Sequence, residues 1–170
     1  MTSLIHLKRH VITLLLIVFF SFSKSYSQTL PPVPFTIYTN PAQGLYFGAF
    51  FIGGTGGTVI IYPDNTRSVT GTVIQASLGY SFSAAIFEVE AAVGTRVGII
   101  NGPDVSLTGS NGGSMTLHLG SSLPTSPFVC NVAPPSRTQV SIGGTLTVGN
   151  ILSNPVGSYS GTFSITFVQE

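Results

Sequence analysis

YSGTFSITF, residues 159–167, carries two different kinds of side chain at alternating positions. One set of positions holds Tyr159, Gly161, Phe163, Ile165 and Phe167, and the positions between them hold only serine and threonine. Successive side chains of a β-strand point to opposite faces of the sheet. The alternation therefore predicts a strand, YSGTFSITFV at residues 159–168, with one face in the core and the other toward solvent or a partner.

Nine other short runs are rich in apolar, β-branched and aromatic residues and are bounded by glycine, proline, asparagine or serine. They are FTIYT (35–39), LYFGAFFI (45–52), TVIIY (58–62), SVTGTVI (68–74), FSAAIFEVEA (82–91), TRVGII (95–100), VSLTG (105–109), SMTLHLG (114–120) and TQVSIGGTLTVG (138–149). No stretch repeats apolar residues at helical spacing for three turns. About ten strands without helical crossovers predict an all-β sandwich or barrel of antiparallel strands.

A proline-rich segment, LPTSPFVCNVAPPS at residues 123–136, interrupts the series of strands. We expect it to be a long loop that crosses between sheets, because a Greek key requires such a connection. Shorter links, such as GGTGG at residues 53–57, carry the residues of tight turns. Together these features predict an antiparallel, immunoglobulin-like Greek-key β-sandwich.

The N-terminus has the layout of a secretory signal peptide. Basic residues precede the apolar run VITLLLIVFFSF, residues 11–22, and small residues frame a cleavage site before Gln28. The run is shorter than the roughly 20 apolar residues of a transmembrane helix, which disfavours the alternative of an uncleaved anchor. The expected organisation is a signal peptide at 1–27 and a single β-sandwich domain at 28–170, with no membrane span in the mature form.

Removal of residues 1–27 removes every lysine and leaves three arginines and five acidic residues, a formal charge of −2. A nearly neutral surface without lysine has no patch to neutralise phosphates, which argues against nucleic-acid binding. Low charge combined with 43% hydrophobic residues favours association of a free monomer. The composition suits a protein that packs into a larger structure.

Residues that could support catalysis are few. His118 is the only histidine in residues 28–170, and a catalytic histidine would also need an orienting partner. Glu88 with Glu90, or Asp64 with Asp104, could be glycosidase carboxylates, but acids on a sheet surface explain these pairs better. The GGTGG link lacks the lysine and the helix of a phosphate-binding loop. We therefore expect no catalytic residue and no enzyme activity.

Metal and cofactor ligands are equally scarce. Cys130 and His118 are the only cysteine and histidine after residue 27, too few for a structural zinc site. No acidic loop has the spacing of calcium ligands. We expect no metal site and no cofactor, and we expect Cys130 to be buried as a small apolar residue, with an intermolecular role as the alternative.

Five segments, taken in order, carry a family resemblance: LYFGAF, GTVIIYPDNTRSVTG, GGSMTLHLG, GGTLTVG and NPVGSYSGTFSITF. As a set they resemble the Domain of Unknown Function 4402 family of exported bacterial proteins, over nearly the whole of residues 28–170. The resemblance implies an exported β-sandwich in a cell-envelope setting. It implies no catalytic residue.

The C-terminus is also similar to the last strand of chaperone-usher pilins and of spore-coat-U-type pilus subunits. Gly157, fourteenth from the end, is followed by the alternating residues of the stretch 159–167. In the pilin pattern this strand is an exposed edge that first binds a chaperone and is later completed by a neighbour's N-terminal segment. The resemblance implies a candidate assembly strand formed by Gly157, Tyr159, Gly161, Phe163, Ile165 and Phe167.

Three features depart from the pilin pattern. Gln169 stands where pilins carry an aromatic residue, and the usual disulfide is absent because Cys130 is alone. The N-terminal segment QTLPPVPFTIYT, residues 28–39, contains three prolines that lack backbone donors. FTIYT could equally be the first strand of a self-contained sandwich.

The expected function is that of a non-enzymatic, pilin-like structural or adhesive subunit that acts through sheet edges. It would be exported to the periplasm, the cell surface or the medium, and its partners would be itself, other envelope or pilus subunits and a periplasmic chaperone. The alternative is a small secreted module that binds glycans or proteins through loop residues such as Tyr62, Asn65 and Arg67.

Overall fold

Strands make up nearly all of the regular structure in residues 34–170, which are the residues that the computed structural model describes. The signal peptide expected at residues 1–27 lies outside them. The fifteen strands are β1 (Thr36–Thr39), β2 (Tyr46–Phe47), β3 (Ala49–Ile52), β4 (Gly57–Ile61), β5 (Arg67–Val69), β6 (Val73–Ala76), β7 (Phe82–Ser83), β8 (Ala85–Glu90), β9 (Arg96–Asn101), β10 (Val105–Gly109), β11 (Ser114–Leu123), β12 (Phe128–Val129), β13 (Thr138–Val148), β14 (Tyr159–Ser160) and β15 (Ile165–Gln169). One 3₁₀ helix spans Pro41–Gln43. The expectation of an all-β, antiparallel fold is confirmed.

The expected number of about ten strands is too low. Each of the ten predicted runs contains a strand, but four of them are broken in two, and β12 lies inside the segment expected to be a loop. Gly48 and Gly71 cause two of the breaks, because both adopt a positive φ (69° and 67°) that interrupts the extended backbone. Alternation of side chains does not reveal such breaks, since it continues on either side of them.

The largest sheet contains eight antiparallel strands. Six lie side by side in the order β1, β8, β13, β11, β10 and β14. The long strand β13 pairs with β8 over residues 138–142 and with β4 over residues 144–148, and β5 pairs with the far side of β4. Strands distant in sequence are therefore hydrogen-bonded neighbours.

Three smaller sheets complete the fold. One contains β12, β9 and β15 in that order, and the pairs β2 with β7 and β3 with β6 form two-stranded sheets. All named strand pairs are antiparallel. In the part of the chain that is described, no helix is long and apolar enough to cross a membrane.

The apolar interior consists of two clusters. The first lies among β4, β10, β11 and the second half of β13, and includes the buried Val59, Leu117 and Leu146. The second lies among β8, β9, β12 and the first half of β13, and includes Val89, Val97, Phe128, Cys130 and Val140. Ile165 packs against both clusters, so the C-terminal segment connects them.

The expectation of one continuous C-terminal strand at residues 159–168 is wrong. Tyr159 and Ser160 form β14, which pairs with β10 in the large sheet, whereas β15 pairs with β9 in the three-stranded sheet. Residues 161–164 pass from one sheet to the other outside regular strand structure. The alternation survives because Phe163, Ile165 and Phe167 all pack against the core, while the serine and threonine side chains between them remain exposed.

Candidate functional site: the open edge of the C-terminal strand

β15 lies at the end of the three-stranded sheet and pairs with β9 on one side only. Within residues 34–170, no strand pairs with its other side. An edge of this kind presents unpaired backbone groups, which are a template for another strand. This edge is the candidate functional site.

Two hydrogen bonds that flank the β9–β15 ladder show which residues face outward. The Gly102 amide donates to the Ser164 carbonyl at 2.9 Å, and the Glu170 amide donates to the Arg96 carbonyl at 3.1 Å. Residues of an antiparallel strand alternate between facing the partner strand and facing away from it. Even-numbered residues therefore bond to β9, and the backbone N–H and C=O groups of Ile165, Phe167 and Gln169 point away from it.

The core beside this edge is incompletely covered. The half-buried residues that pack against the second cluster come from both sheets. They are Phe35, Ile37, Phe87, Ile99, Ile165 and Phe167. The rings of Phe87 and Phe167 meet at a centroid distance of 5.5 Å, which connects β8 to β15. Further covering of these side chains would remove apolar surface from water and stabilise an added strand.

The other terminal strands of the two larger sheets offer shorter or more protected edges. β1 has four residues and is preceded by Pro34 and Phe35, and β5 has three residues including Arg67. β12 and β14 have two residues each. Short strands, charged residues and prolines protect edges against unwanted pairing. β15, with the uncharged sequence ITFVQ, has none of these protections.

The residues expected to form one assembly strand do not lie on one edge. Ile165 and Phe167 belong to β15, whereas Tyr159 belongs to β14. The Tyr159 hydroxyl donates to the Pro155 carbonyl at 2.7 Å, so this side chain holds a loop in place. Gly157 and Gly161 lie against Ser110 and Leu107, where a Cβ atom would come within 2.6 and 2.7 Å of their side chains. Phe163 packs on the first cluster.

His118 has an acidic neighbour. Its Nδ1 atom lies 2.6 Å from Oδ1 of Asp104. The two side chains are 69% and 58% exposed, on the outer face of β11 and just before β10. Asp104 therefore lies beside His118, whereas the Asp64 carboxylate accepts hydrogen bonds from Thr66. In the described residues no serine or threonine hydroxyl is hydrogen-bonded to the histidine ring.

Glu88 and Glu90 share a face of β8, as their spacing predicts, and both bind Arg137. The Arg137 guanidinium lies 2.8 Å from Glu88 and 3.4 Å from Glu90, and it stacks over Tyr38 with its Cζ atom 3.5 Å from the ring centroid. The hydrogen bond to Glu88 raises the pKa of Arg137 above its ordinary range. These contacts connect β1 and β8 to the residue that precedes β13. On the opposite face Val89 and Ala91 are buried and Phe87 is half-buried.

Two of the three loop residues expected to contact a ligand in the alternative function bind elsewhere in the protein. Asn65 adopts a positive φ of 64° and accepts a hydrogen bond from the Ala84 amide at 2.8 Å. Arg67 donates to the carbonyls of Phe47 and Ala49, and its guanidinium covers the ring of Phe82 at 4.5 Å. Tyr62 is exposed and near Ser68.

Cys130 is fully buried in the second cluster, and its burial confirms the expectation of a small apolar residue. In residues 34–170, no three side chains of histidine, cysteine, aspartate or glutamate converge in a group that could hold a metal ion.

The sequence pattern did not indicate which backbone groups of β15 face outward, nor the half-buried position of Arg67. The alternating residues indicated which side chains enter the core. They carried no signal for which amides lack a partner, because hydrogen-bond direction depends on the register between strands.

Comparison with known proteins gives one match. Residues 36–168 match the family described as Domain of unknown function (DUF4402). No curated protein and no solved structure matches the chain. The matched residues include β1 and nearly all of β15, and they cover well over half of the sequence. The chain therefore belongs to the DUF4402 family, as its sequence indicated.

Proposed function

We propose that this protein is an exported, non-enzymatic subunit of the bacterial cell envelope or surface that makes contacts by strand addition at the β15 edge. The observation that carries the proposal is the outward orientation of the backbone groups of Ile165, Phe167 and Gln169. An added strand would bond to these groups and cover the half-buried Phe87 and Phe167 beside them. Backbone bonding supplies affinity, and the side chains that enter the core supply specificity.

In this proposal the fold is an immunoglobulin-like Greek-key sandwich. Two features support it: β13 pairs with both β8 and β4, far away in sequence, and the segment between β11 and β13 is long. Residues 161–164 connect β14 in one sheet to β15 in the other, and chain segments that switch sheets in this way occur at the corners of β-sandwiches.

A structural role fits the charged residues of the protein better than catalysis. Arg137 binds Glu88 and Glu90, and the His118–Asp104 pair is open to solvent on a sheet face. General acid–base catalysis gains most where water is excluded from the reacting groups. The signal-peptide pattern and the low charge of residues 28–170 support export and assembly. The proposed partners are further copies, other envelope or pilus subunits and a periplasmic chaperone.

Size-exclusion chromatography with light scattering tests the proposal on residues 28–170. Gln169→Pro removes an outward N–H and leaves the bonds to β9 intact, whereas the matched control Gln169→Ala keeps that N–H. We expect assemblies in the unmodified protein and in Gln169→Ala, and their loss in Gln169→Pro.

A second variant, truncated before Phe35, identifies the source of the added strand. Assemblies that disappear on truncation would assign the N-terminal segment as donor. An unchanged monomer in every sample would contradict assembly through β15 and would favour the small glycan- or protein-binding module instead.

A further inference from the structure

We propose that the strand added to β15 is β15 of a second copy, which pairs antiparallel with it about a two-fold axis at Phe167. This inference rests on the proposed use of the β15 edge and names the partner. It follows from the direction of the unpaired backbone groups, the sequence of the edge and the prolines near the N-terminus.

The unpaired groups are arranged symmetrically along β15. Ile165, Phe167 and Gln169 direct their N–H and C=O groups outward, and Phe167 is the central one. When two such strands run antiparallel with Phe167 opposite Phe167, Ile165 faces Gln169 of the other copy. Every outward group then meets a complementary group, which gives about six hydrogen bonds between the copies. A contact in which the same residues meet from both sides closes as a dimer.

The side chains of β15 permit this approach. Its five residues include no charge and no proline, so the edge lacks the features that usually prevent pairing. The nearest charges are those of Glu170 and Arg96, which neutralise each other in an ion pair of 2.7 Å. The Phe167 side chains of the two copies would lie close together across the joined sheet, each beside its own Phe87 in the facing sheet, and mutual covering would bury more of their apolar surface.

The N-terminal segment is a poorer partner for this edge. A strand that adds to β15 must present an N–H at every second residue. Either the odd-numbered or the even-numbered residues of the segment would face β15. Pro31 is among the odd-numbered residues, and Pro32 and Pro34 are among the even-numbered ones. Each arrangement therefore lacks at least one N–H donor. The next residues, Thr36–Thr39, already pair with β8 of the same chain.

Charge substitutions on the outer face test the register. In the proposed dimer Thr166 lies opposite Val168 of the other copy, and both side chains point away from the core. Thr166→Lys with Val168→Lys places two pairs of like charges across the contact. Thr166→Lys with Val168→Glu places two pairs of opposite charges there. The second double variant is a matched control for the first, because both carry two charged residues at the same sites.

Sedimentation equilibrium of the full chain and both double variants measures the dimer dissociation constant, and circular dichroism verifies that each variant is folded. We expect a dimer in the unmodified protein, a dissociation constant raised about tenfold with two lysines, and recovery with lysine and glutamate. Equal effects of the two double variants would overturn the inference. A monomer at all concentrations, or a polymer that lengthens with concentration, would also overturn it.

A cross-linking experiment is independent of those variants. Thr166→Cys and Val168→Cys chains are mixed and oxidised, because directly opposed residues of such a pair lie within disulfide distance. Cys130 is buried and stays unreactive. We expect mass spectrometry to find the mixed 166–168 disulfide, and its absence would overturn the inference. If Gln169→Pro abolishes assembly but the 166–168 cross-link does not form, the proposed function stands and pairing of two β15 strands is rejected. If Gln169→Pro has no effect on assembly, both proposals are rejected.

Discussion

The rings of Phe87 on β8 and Phe167 on β15 pack with their centroids 5.5 Å apart and their planes inclined at 57°. The two strands belong to different sheets, so this pair connects the large sheet to the three-stranded sheet. The same contact lies beside the open edge, and it therefore connects the packing of the core to the proposed contact site.

Substitution of Phe167 with alanine should destabilise the protein. Loss of the ring removes the contact with Phe87 and leaves a gap in the second cluster, which we expect to cost about 2–3 kcal/mol of unfolding free energy because the residue is half-buried. Urea denaturation measures the change. Thr166→Ala, on the exposed face of the same strand, is the control and should change stability by less than about 0.5 kcal/mol. Similar losses in both variants would show that the ring does not contribute to the core.

Arg67 should stabilise the β2–β3 region through its hydrogen bonds. Its guanidinium donates to the carbonyls of Phe47 and Ala49 at 3.0 and 3.3 Å, and none of the described acidic residues forms an ion pair with it. Arg67→Met keeps an apolar chain and removes the donors, so we expect a loss of about 2–3 kcal/mol in thermal or chemical unfolding.

Arg96→Ala is the control for this prediction. It removes an ion pair that is largely exposed to solvent, and we expect it to cost less than about 1 kcal/mol. A larger loss from Arg96→Ala than from Arg67→Met would contradict the structural role of Arg67.

Asn154 should hold the loop between β13 and β14. This residue is only 1% exposed, its side-chain amide donates to the Ser114 carbonyl at 2.6 Å, and its side-chain oxygen accepts from the Gly149 amide. Asn154→Ala leaves both backbone groups without these bonds, and we expect it to cost about 2–3 kcal/mol and to speed hydrogen exchange at Gly149. Asn111→Ala removes an exposed bond to the Val156 carbonyl and should cost about 1 kcal/mol or less. Unchanged exchange at Gly149 would exclude this role.

Asp64 should make the protein less stable as the pH falls into the acidic range. Hydrogen bonds from the Thr66 hydroxyl at 2.6 Å and the Thr66 amide at 2.9 Å lower the pKa of Asp64 below its ordinary value of 3.8. A carboxylate whose pKa is lower in the folded state stabilises the fold above its unfolded pKa. That contribution is lost as the pH falls through the folded pKa.

Below about pH 4, the free energy of unfolding of the unmodified protein should therefore fall more steeply with decreasing pH than that of Asp64→Asn. Above about pH 5, plots of unfolding free energy against pH should be parallel for the two proteins. NMR titration of the Asp64 carboxyl provides the direct measurement. Thr66→Val removes the larger of the two causes and should raise the pKa of Asp64. Identical titration curves with threonine and valine at position 66 would contradict the assigned cause.

The predicted and observed strands agree in type and differ in continuity. Every predicted run contains a strand because alternating and β-branched residues favour half-buried extended chain whatever the partner. The breaks at Gly48 and Gly71 depend on backbone angles that only the packed structure imposes. The move of residues 159–169 from one sheet to another left no trace in the alternation, since both sheets bury the same face of the segment.

The candidate site could be predicted in part. Its position at the C-terminus and the residues Ile165 and Phe167 came from sequence alternation and from the pilin resemblance. The same pattern predicts Gly157, Tyr159 and Gly161 in that strand, but they contact the loop and β10 instead of the open edge.

The order of apolar and polar residues along the chain is sufficient to indicate strands as the type of regular structure and to identify the core-facing residues near the C-terminus, and the ordered motifs indicate the family. Which edge stays open and which backbone groups face outward are properties of the packed structure. Those properties depend on hydrogen-bond register between segments more than 60 residues apart, such as Gly98 and Val168. Local sequence patterns do not encode that register, since many pairings would bury the same side chains.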